Sequence, residues 1–498
     1  MSFRRLSANA VASASYVVCS ALLLFELYRF LAREIGASHI GVWALVTASS
    51  AVVRVSEFGI SAGVVRFVAA DLGEQQPERA AATAGMALAA VAVFMGLTAL
   101  VLHPLLEFVV TSTIRDVEAA AIGLGLLPWA IGSLWLTTVT NVFVGVLDGQ
   151  QRTVLRSVGM LFANLVQLGL AYALVPRDGL VAMGPVQFGF SLTGLIVLGL
   201  LAKFSLRQPM TSWVRWERGR FLDLVRYGGA FQVVSLSQVL FEPTTKWFLG
   251  VYGGLEASGY FEMANRALSQ LRQVIVAGLQ MLIPYVANRT GQQAPDVGAM
   301  RTIYVNAFRT LAWLAVPYFA MIGCLLPLVL TLWLGRYSAL FIQIGLACLI
   351  GWSLNLLAAP AYAMFVAIGR LKWAMVSQIA MGLLNVVLCA LGGYTFGALG
   401  VVCGAMAALA LGSAFLLVPF HDEFGVRLSG LLPRSLPVAL PVACAGVAAS
   451  AWLGAGFSNS WSVLETYGAS VLATACLLGV VAWLDPVRST LLERLRNR

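Results

Sequence analysis

The chain is 498 residues long, 60% hydrophobic and 11% charged, with a formal net charge of +10. No soluble domain of this length needs so much apolar surface, so composition selects a polytopic membrane protein. The basic residues sit in short loops, where they set topology, and they do not argue for nucleic-acid binding.

A membrane-spanning helix needs about 20 apolar residues, which predicts about fourteen spans. Arg4 and Arg5 precede the first apolar stretch as in a signal peptide, but no cleavage site follows, so it reads as a retained helix. The first half holds spans at 8–31, 40–70, 81–102, 119–147, 154–175 and 181–204. Between the halves, Trp213 and Trp216 alternate with Arg215, Arg218 and Arg220, as in a linker lying on the inner membrane surface. The second half holds spans at 222–251, 257–288, 303–330, 339–369, 373–392 and 396–420, and a final pair covers 436–455 and 467–484. Placing the N-terminus inside puts Arg79, Arg152, Lys203, Arg207, Arg215, Arg218 and Arg220 in cytoplasmic loops, whereas the alternate loops carry only Arg33, Arg115, Arg177 and Arg336. That asymmetry predicts both termini in the cytoplasm.

The halves repeat. Sliding the sequence by 218 residues superposes Gly36 on Gly254, Gly41 on Gly259, Arg54 on Arg272 and Gly73 on Gly291. A shift of 220 pairs Gly149 with Gly369 and Arg152 with Lys372. An even number of spans between copies makes the repeats parallel, related by an axis along the membrane normal. The predicted fold is therefore an all-α polytopic membrane protein with two pseudo-symmetric six-helix lobes. Its parts are an N-terminal lobe (1–204), a cytoplasmic amphipathic linker (205–221), a C-terminal lobe (222–420), an additional helix pair (436–484) and a basic cytoplasmic tail (485–498).

Charges within the spans concentrate at matching places in the two halves. Glu26 and Arg29 lie in the first span, and Arg54 and Glu57 in the second. Glu242 and Lys246 open the second half, followed by Glu262, Arg266 and Arg272. An ionisable group at bilayer depth costs roughly 2.5–3.5 kcal/mol on insertion scales, so it faces a partner or a cavity. Spacings of three or four put Glu26/Arg29, Arg54/Glu57, Glu242/Lys246 and Glu262/Arg266 on common helical faces, where partners can neutralise each other. Structural pairing and a polar cavity between the halves both account for these pairs. Arg272 is the exception, with no acid three or four residues away on either side. A guanidinium offers a planar fork to phosphate oxygens, so Arg54 and Arg272 are candidate ligands of a phosphate or pyrophosphate, supported by Arg29 and Arg266. Glu57, Glu242 and Glu262 are candidates for coupling to a proton or sodium ion. Pro243 beside Glu242 removes a backbone hydrogen bond and predicts a local kink.

The seven cysteines lie in apolar runs without metal or redox spacing, and His39, His103 and His421 are far apart. The sequence carries no phosphate loop, nucleotide fingerprint or nucleophile elbow. These features predict neither cofactor nor metal, and a transporter in place of an enzyme.

The stretches Ile40-Gly-Val-Trp-Ala-Leu-Val, Glu57-Phe-Gly-Ile-Ser-Ala-Gly-Val-Val-Arg-Phe-Val-Ala-Ala and Gly254-Leu-Glu-Ala-Ser-Gly-Tyr-Phe-Glu-Met-Ala-Asn-Arg266 resemble the lobe starts of Wzx-type polysaccharide flippases. These form a branch of the multidrug/oligosaccharidyl-lipid/polysaccharide exporter superfamily. The resemblance implies outward movement of an undecaprenyl-pyrophosphate-linked oligosaccharide across a bacterial inner membrane by alternating access, for O-antigen, exopolysaccharide or another surface polymer. It implies membrane lipids as neighbours and the polymerase and chain-length proteins of the same pathway as partners. In the related lipid II flippases an additional helix pair forms a lipid-tail groove, and arginines and an acid line a central cavity. Arg29, Arg54, Glu57, Arg266 and Arg272 occupy the corresponding helices. A lipid II flippase and a multidrug cation antiporter are the alternatives that the same resemblance admits.

Overall fold

The computed structural model describes residues 3–57, 59–279, 297–368, 370, 372–427, 431–454 and 461–487. The tail from 488, the end of the span expected to reach 288, and the repeat glycines Gly291 and Gly369 lie outside them. The described residues are helical almost throughout and include no strand. By length and composition, ten stretches of them could cross a membrane. Three of these, Thr153–Leu206, Ala339–Ala367 and Lys372–Phe424, each hold two helices.

Helices are numbered in chain order. The first is α1 (Phe3–Glu34), followed by α2 (Gly36–Ser50), a 3-10 turn (Ala51–Glu57) and α3 (Ile60–Gly73). The span expected at 40–70 is thus two helices with a tighter turn between them. Gly59 explains the break, because its φ of 62° cannot continue a right-handed helix. Next come α4 (Pro77–Thr113), α5 (Val117–Gly149), α6 (Thr153–Asp178) and α7 (Met183–Leu206). Pro77 starts α4 at a position where its missing N–H costs nothing. Asp116 caps α5, its carboxylate accepting from the Glu118 and Ala119 amides at 2.9 and 3.1 Å.

The linker forms one short turn, α8 (Met210–Trp213), and leads into α9 (Arg218–Tyr252) and α10 (Gly254–Leu279). Helix α9 runs through Pro243 unbroken. Neither α9 nor α10 is among the stretches apolar enough to cross a membrane by composition; both carry the buried charges described below. The chain continues with α11 (Val297–Leu334), α12 (Ala339–Leu356), α13 (Ala359–Ala367), α14 (Lys372–Phe424), α15 (Leu436–Gly454) and α16 (Trp461–Leu484). Within α14, Gly397 stands at φ 60°, ψ −138° and divides it into two helices.

The chain groups into two compact units, Met1–Glu262 and Met263–Arg498. In the first, α5 packs against α7, α3, α4 and α2, while α1 lies along α6. Helix α9 and the start of α10 belong to this unit. Gly41 and Gly259 face each other where α2 crosses α10: a methyl group on Gly41 would overlap the Leu255 carbonyl, and one on Gly259 the Ala37 carbonyl. In the second unit α12 packs on α14, and α15 and α16 dock together on α11. Ala320, Ala439, Ala443 and Leu478 form the core of that docking, and Trp313 donates to the Ala482 carbonyl at 3.1 Å.

The backbone carries the repeat further than the residues do. Gly36 and Gly254, 218 apart (254 − 36), have φ of 78° and 79°. Gly179 and Gly397, also 218 apart (397 − 179), share φ/ψ of 58°/−133° and 60°/−138°. Arg207 and Gly425, again 218 apart (425 − 207), have φ of 53° and 58°. Positive φ is confined to ten of the described residues, so three coincidences at one offset record a duplicated backbone pattern.

Candidate functional site

Among the described residues, the charges that the sequence singled out within its spans fall into four groups. The first is on α1, where Glu26 and Arg29 are paired at 3.0 Å, with side chains 31% and 41% exposed. Tyr172 of α6 donates to the same Glu26 carboxylate at 2.6 Å, and its ring lies 4.1 Å from that of Phe30. The i, i+3 spacing made this pair legible in the sequence; the tyrosine that completes it lies 146 residues away.

The second group is the 3-10 turn between α2 and α3. Arg54 is exposed there and Glu57 partly buried. Residues three apart eclipse in a 3-10 helix, so both project from one side of the turn. Ahead of the turn, the Ser49 and Thr47 hydroxyls bond back to carbonyls three or four residues earlier.

The third group joins three helices and is almost entirely buried. Lys246 of α9 is ion-paired with Glu242 one turn earlier at 2.8 Å and with Glu262 of α10 at 2.6 Å. Tyr28 of α1 donates to Glu262 at 2.9 Å. The Lys246 and Glu262 side chains are each only 3% exposed, whereas that of Glu242 is 43% exposed. Sequence spacing gave the Glu242/Lys246 pair. It did not give Lys246 to Glu262, because that contact needs the α9–α10 hairpin, which Gly254 at positive φ turns.

The fourth group is on α10 within the second unit. Asn265 and Arg272 are seven residues, two turns, apart and share a helical face. Arg272 lies with its guanidinium carbon 5.3 Å from the ring centroid of Trp352 on α12. The Trp352 ring nitrogen donates to the Asn265 side-chain oxygen at 2.9 Å. Among the described residues no carboxylate pairs with Arg272, and its buried Nε has no hydrogen-bond acceptor. Arg266, one turn after Glu262, is exposed.

A further cluster was hidden in residues read as topological. Arg220, at the start of α9, is ion-paired with Asp71 of α3; their side chains are 12% and 2% exposed. Thr83 of α4 donates to Asp71 at 3.1 Å, and Arg79 reaches it at 4.0 Å. Arg220 also lies 4.5 Å over the Phe67 ring, and Arg66 4.5 Å over Tyr227. Trp213 of the linker is buried, its carbonyl lying where a side chain on Gly85 would stand. The available signal was Asp71, an acid at the end of an apolar run, which must have a cation if it is buried.

Among the described residues the arrangement offers ion pairs and, at Arg272, a guanidinium with no carboxylate beside it. Among the described residues no three histidines, cysteines or carboxylates gather as a metal site.

Residues 14–173 match the MatE family model. No curated protein matches the chain. Among solved structures, the lipid II flippase MurJ in an inward closed conformation is similar with a TM-score of 0.70 at 12% identity, over 98% of this chain and 99% of that one. A multidrug-resistance MATE transporter of the MOP superfamily gives 0.69 at 16%, over 83% of this chain and 98% of that one. A MOP-superfamily transporter from Pyrococcus furiosus, described as having a binding pocket of reversed polarity, gives 0.57 at 17%, over 84% and 95%. This chain is a multi-pass membrane protein with the two-lobed helical fold of MOP-superfamily transporters and flippases.

Proposed function

We propose that this protein is a flippase carrying an anionic, lipid-linked oligosaccharide from the inner to the outer leaflet by alternating access. Its substrate is an undecaprenyl-pyrophosphate glycan destined for a surface polysaccharide. The protein sits in a bacterial inner membrane with both termini cytoplasmic, and works beside the polymerase and chain-length proteins of that pathway. The observation that carries the reading is Arg272. A half-buried guanidinium with no acid beside it is costly to keep in a membrane protein, and an incoming phosphate offers what it lacks. Arg266 in the same unit as Arg272, and Arg29 and Arg54 in the other unit, are further candidate ligands for the anion over the cycle, and Glu57, Glu242 and Glu262 are candidates to couple it to a proton or sodium ion. A multidrug cation antiporter needs the opposite charge at this place.

Lipid II is the second reading, favoured by the alignment of the MurJ structure over nearly the whole chain. Its pyrophosphate would meet the same arginine, so the glycan distinguishes the two. The test is flipping of fluorescent undecaprenyl-pyrophosphate oligosaccharide and of fluorescent lipid II in proteoliposomes. The oligosaccharide is expected to move at least tenfold faster, and Arg272→Gln to abolish movement. Faster movement of lipid II would reverse the assignment; full activity of Arg272→Gln would end both readings.

A further inference from the structure

Arg272 could in principle swing freely, since it has a long side chain and no acid to hold it. Three contacts restrain it. The Tyr318 hydroxyl of α11 donates to the Leu271 carbonyl at 3.0 Å, fixing the backbone one residue before the arginine. The Trp352 indole faces the guanidinium at 5.3 Å. The indole is itself held by its N–H donating to Asn265, two turns before Arg272 on the same helix. Helix α12 is braced behind this contact. Asn355 donates to the Ser413 hydroxyl of α14 at 2.8 Å, and Gly351 lies where any side chain would overlap Met406. Trp352 therefore stands on a fixed helix, with a fixed ring plane, against an arginine that has no other partner among the described residues.

We infer that Trp352 and Asn265 are positioning residues for Arg272, holding its guanidinium over the indole so that its N–H donors stay open to the substrate's pyrophosphate. An aromatic face attracts a guanidinium without using any of its N–H groups, because the attraction runs through the ring quadrupole. A carboxylate in that position would also hold the arginine, but it would occupy the donors that an anion needs and repel the anion. The ring thus restrains the cation while leaving it competent. Restraint matters because ordering a rotamer-rich side chain on binding costs affinity, and a pre-ordered one does not bear that cost. Asn265 acts one step further out, by fixing the ring's rotation.

The inference rests on the reading of Arg272 as the pyrophosphate ligand, and the test separates the two. Flipping of a fluorescent undecaprenyl-pyrophosphate oligosaccharide is measured against substrate concentration in proteoliposomes. The proteins compared are wild type, Trp352→Leu, Trp352→Phe, Asn265→Ala, Arg272→Lys and Trp352→Leu in the Arg272→Lys background. Trp352→Leu is expected to raise the half-saturating concentration about tenfold while changing the maximal rate less than about twofold. Trp352→Phe keeps an aromatic face and should recover most of that loss; Asn265→Ala should fall between them. In the Arg272→Lys background, Trp352→Leu should cost clearly less than it does alone. An equal loss in both backgrounds, or no recovery with Trp352→Phe, overturns the positioning role while leaving Arg272 as the ligand. Unchanged saturation and rate in Arg272→Lys, together with full activity of Arg272→Gln in the test of the proposed function, would overturn the ligand reading and the positioning role with it. If Trp352→Leu fails to fold, the Trp352→Phe and Asn265→Ala pair decides: unchanged saturation in both ends the proposal.

Discussion

Lys246 is the residue on which the buried charge of α9 and α10 depends. It holds Glu262 at 2.6 Å and Glu242 at 2.8 Å, in surroundings where its own side chain is 3% exposed. Burying an ion pair gives little net stability, but removing one partner leaves a charge without compensation, at about 3–5 kcal/mol. Lys246→Met is therefore expected to lower the unfolding midpoint of the purified protein sharply. Lys246→Met with Glu262→Gln removes both charges and should recover more than half of the loss. Equal midpoints for the single and double variants would show that the pair is not what Lys246 stabilises. The sequence disclosed half of this four-residue cluster. Glu242 and Lys246 are one turn apart and visible by spacing, whereas Glu262 and Tyr28 arrive from other helices. Arg272 was legible for the opposite reason, as a charge without a neighbour at helical spacing. Trp352, 80 residues later, was not, because long-range contacts leave no mark at any fixed spacing.

At the scale of elements, two joints are held by charged groups, of which the sequence had placed Arg220 in a topological loop. Asp71 and Arg220 join α3 to the start of α9, and Asp485 joins the end of α16 to the start of α15. Asp485 accepts from the Ser435 and Val487 amides, each at 2.8 Å. Burial alone would raise its carboxyl; the hydrogen bonds from Ser435 and Val487 and the charge of Arg434 outweigh burial and hold it below the usual aspartate value. A carboxyl depressed by folding adds stability that is complete above the unfolded value of about 3.9, and that stability is lost as pH falls through the folded value. The α15–α16 joint should accordingly loosen only on acidification below about pH 4. Hydrogen-exchange protection at Ser435 and Val487 would report it, falling with acid in wild type and staying flat but lower in Asp485→Asn. Protection that falls equally in both proteins would assign the acid sensitivity elsewhere. Element existence was readable from apolar length, and the breaks were not. The 3-10 turn at Ala51–Glu57 and the division of α14 at Gly397 depend on positive-φ glycines that look like any others in a chain with 48 of them.

At the scale of the whole molecule, the duplicated pattern bears on how the proposed transport would be driven. Glycine coincidences suggested the offset of 218, and the shared backbone angles at Gly36/Gly254, Gly179/Gly397 and Arg207/Gly425 establish it in the structure. In the proposed alternating-access cycle, one substrate is exposed to each side of the membrane in turn. If that substrate is a pyrophosphate with two negative charges, the membrane potential acts on it directly. One elementary charge crossing 100 mV is worth about 2.3 kcal/mol, so two are worth about 4.6 kcal/mol, with an inside-negative potential favouring the outer leaflet. Arginines bound to the pyrophosphate as proposed would reduce this by moving with it or neutralising it, so the effective charge moved is a measurable property of the cycle. In proteoliposomes with an imposed potassium-diffusion potential, outward flipping is expected to quicken as the interior is made more negative and to slow when the sign is reversed. Neutralising Glu57 or Glu262 as glutamine should change the steepness of that dependence if those carboxylates share the moving charge. Flipping that continues undiminished after the potential and the proton and sodium gradients have all been collapsed would leave the electrical drive without support. The cycle would then have to run on the difference in lipid concentration between the two leaflets.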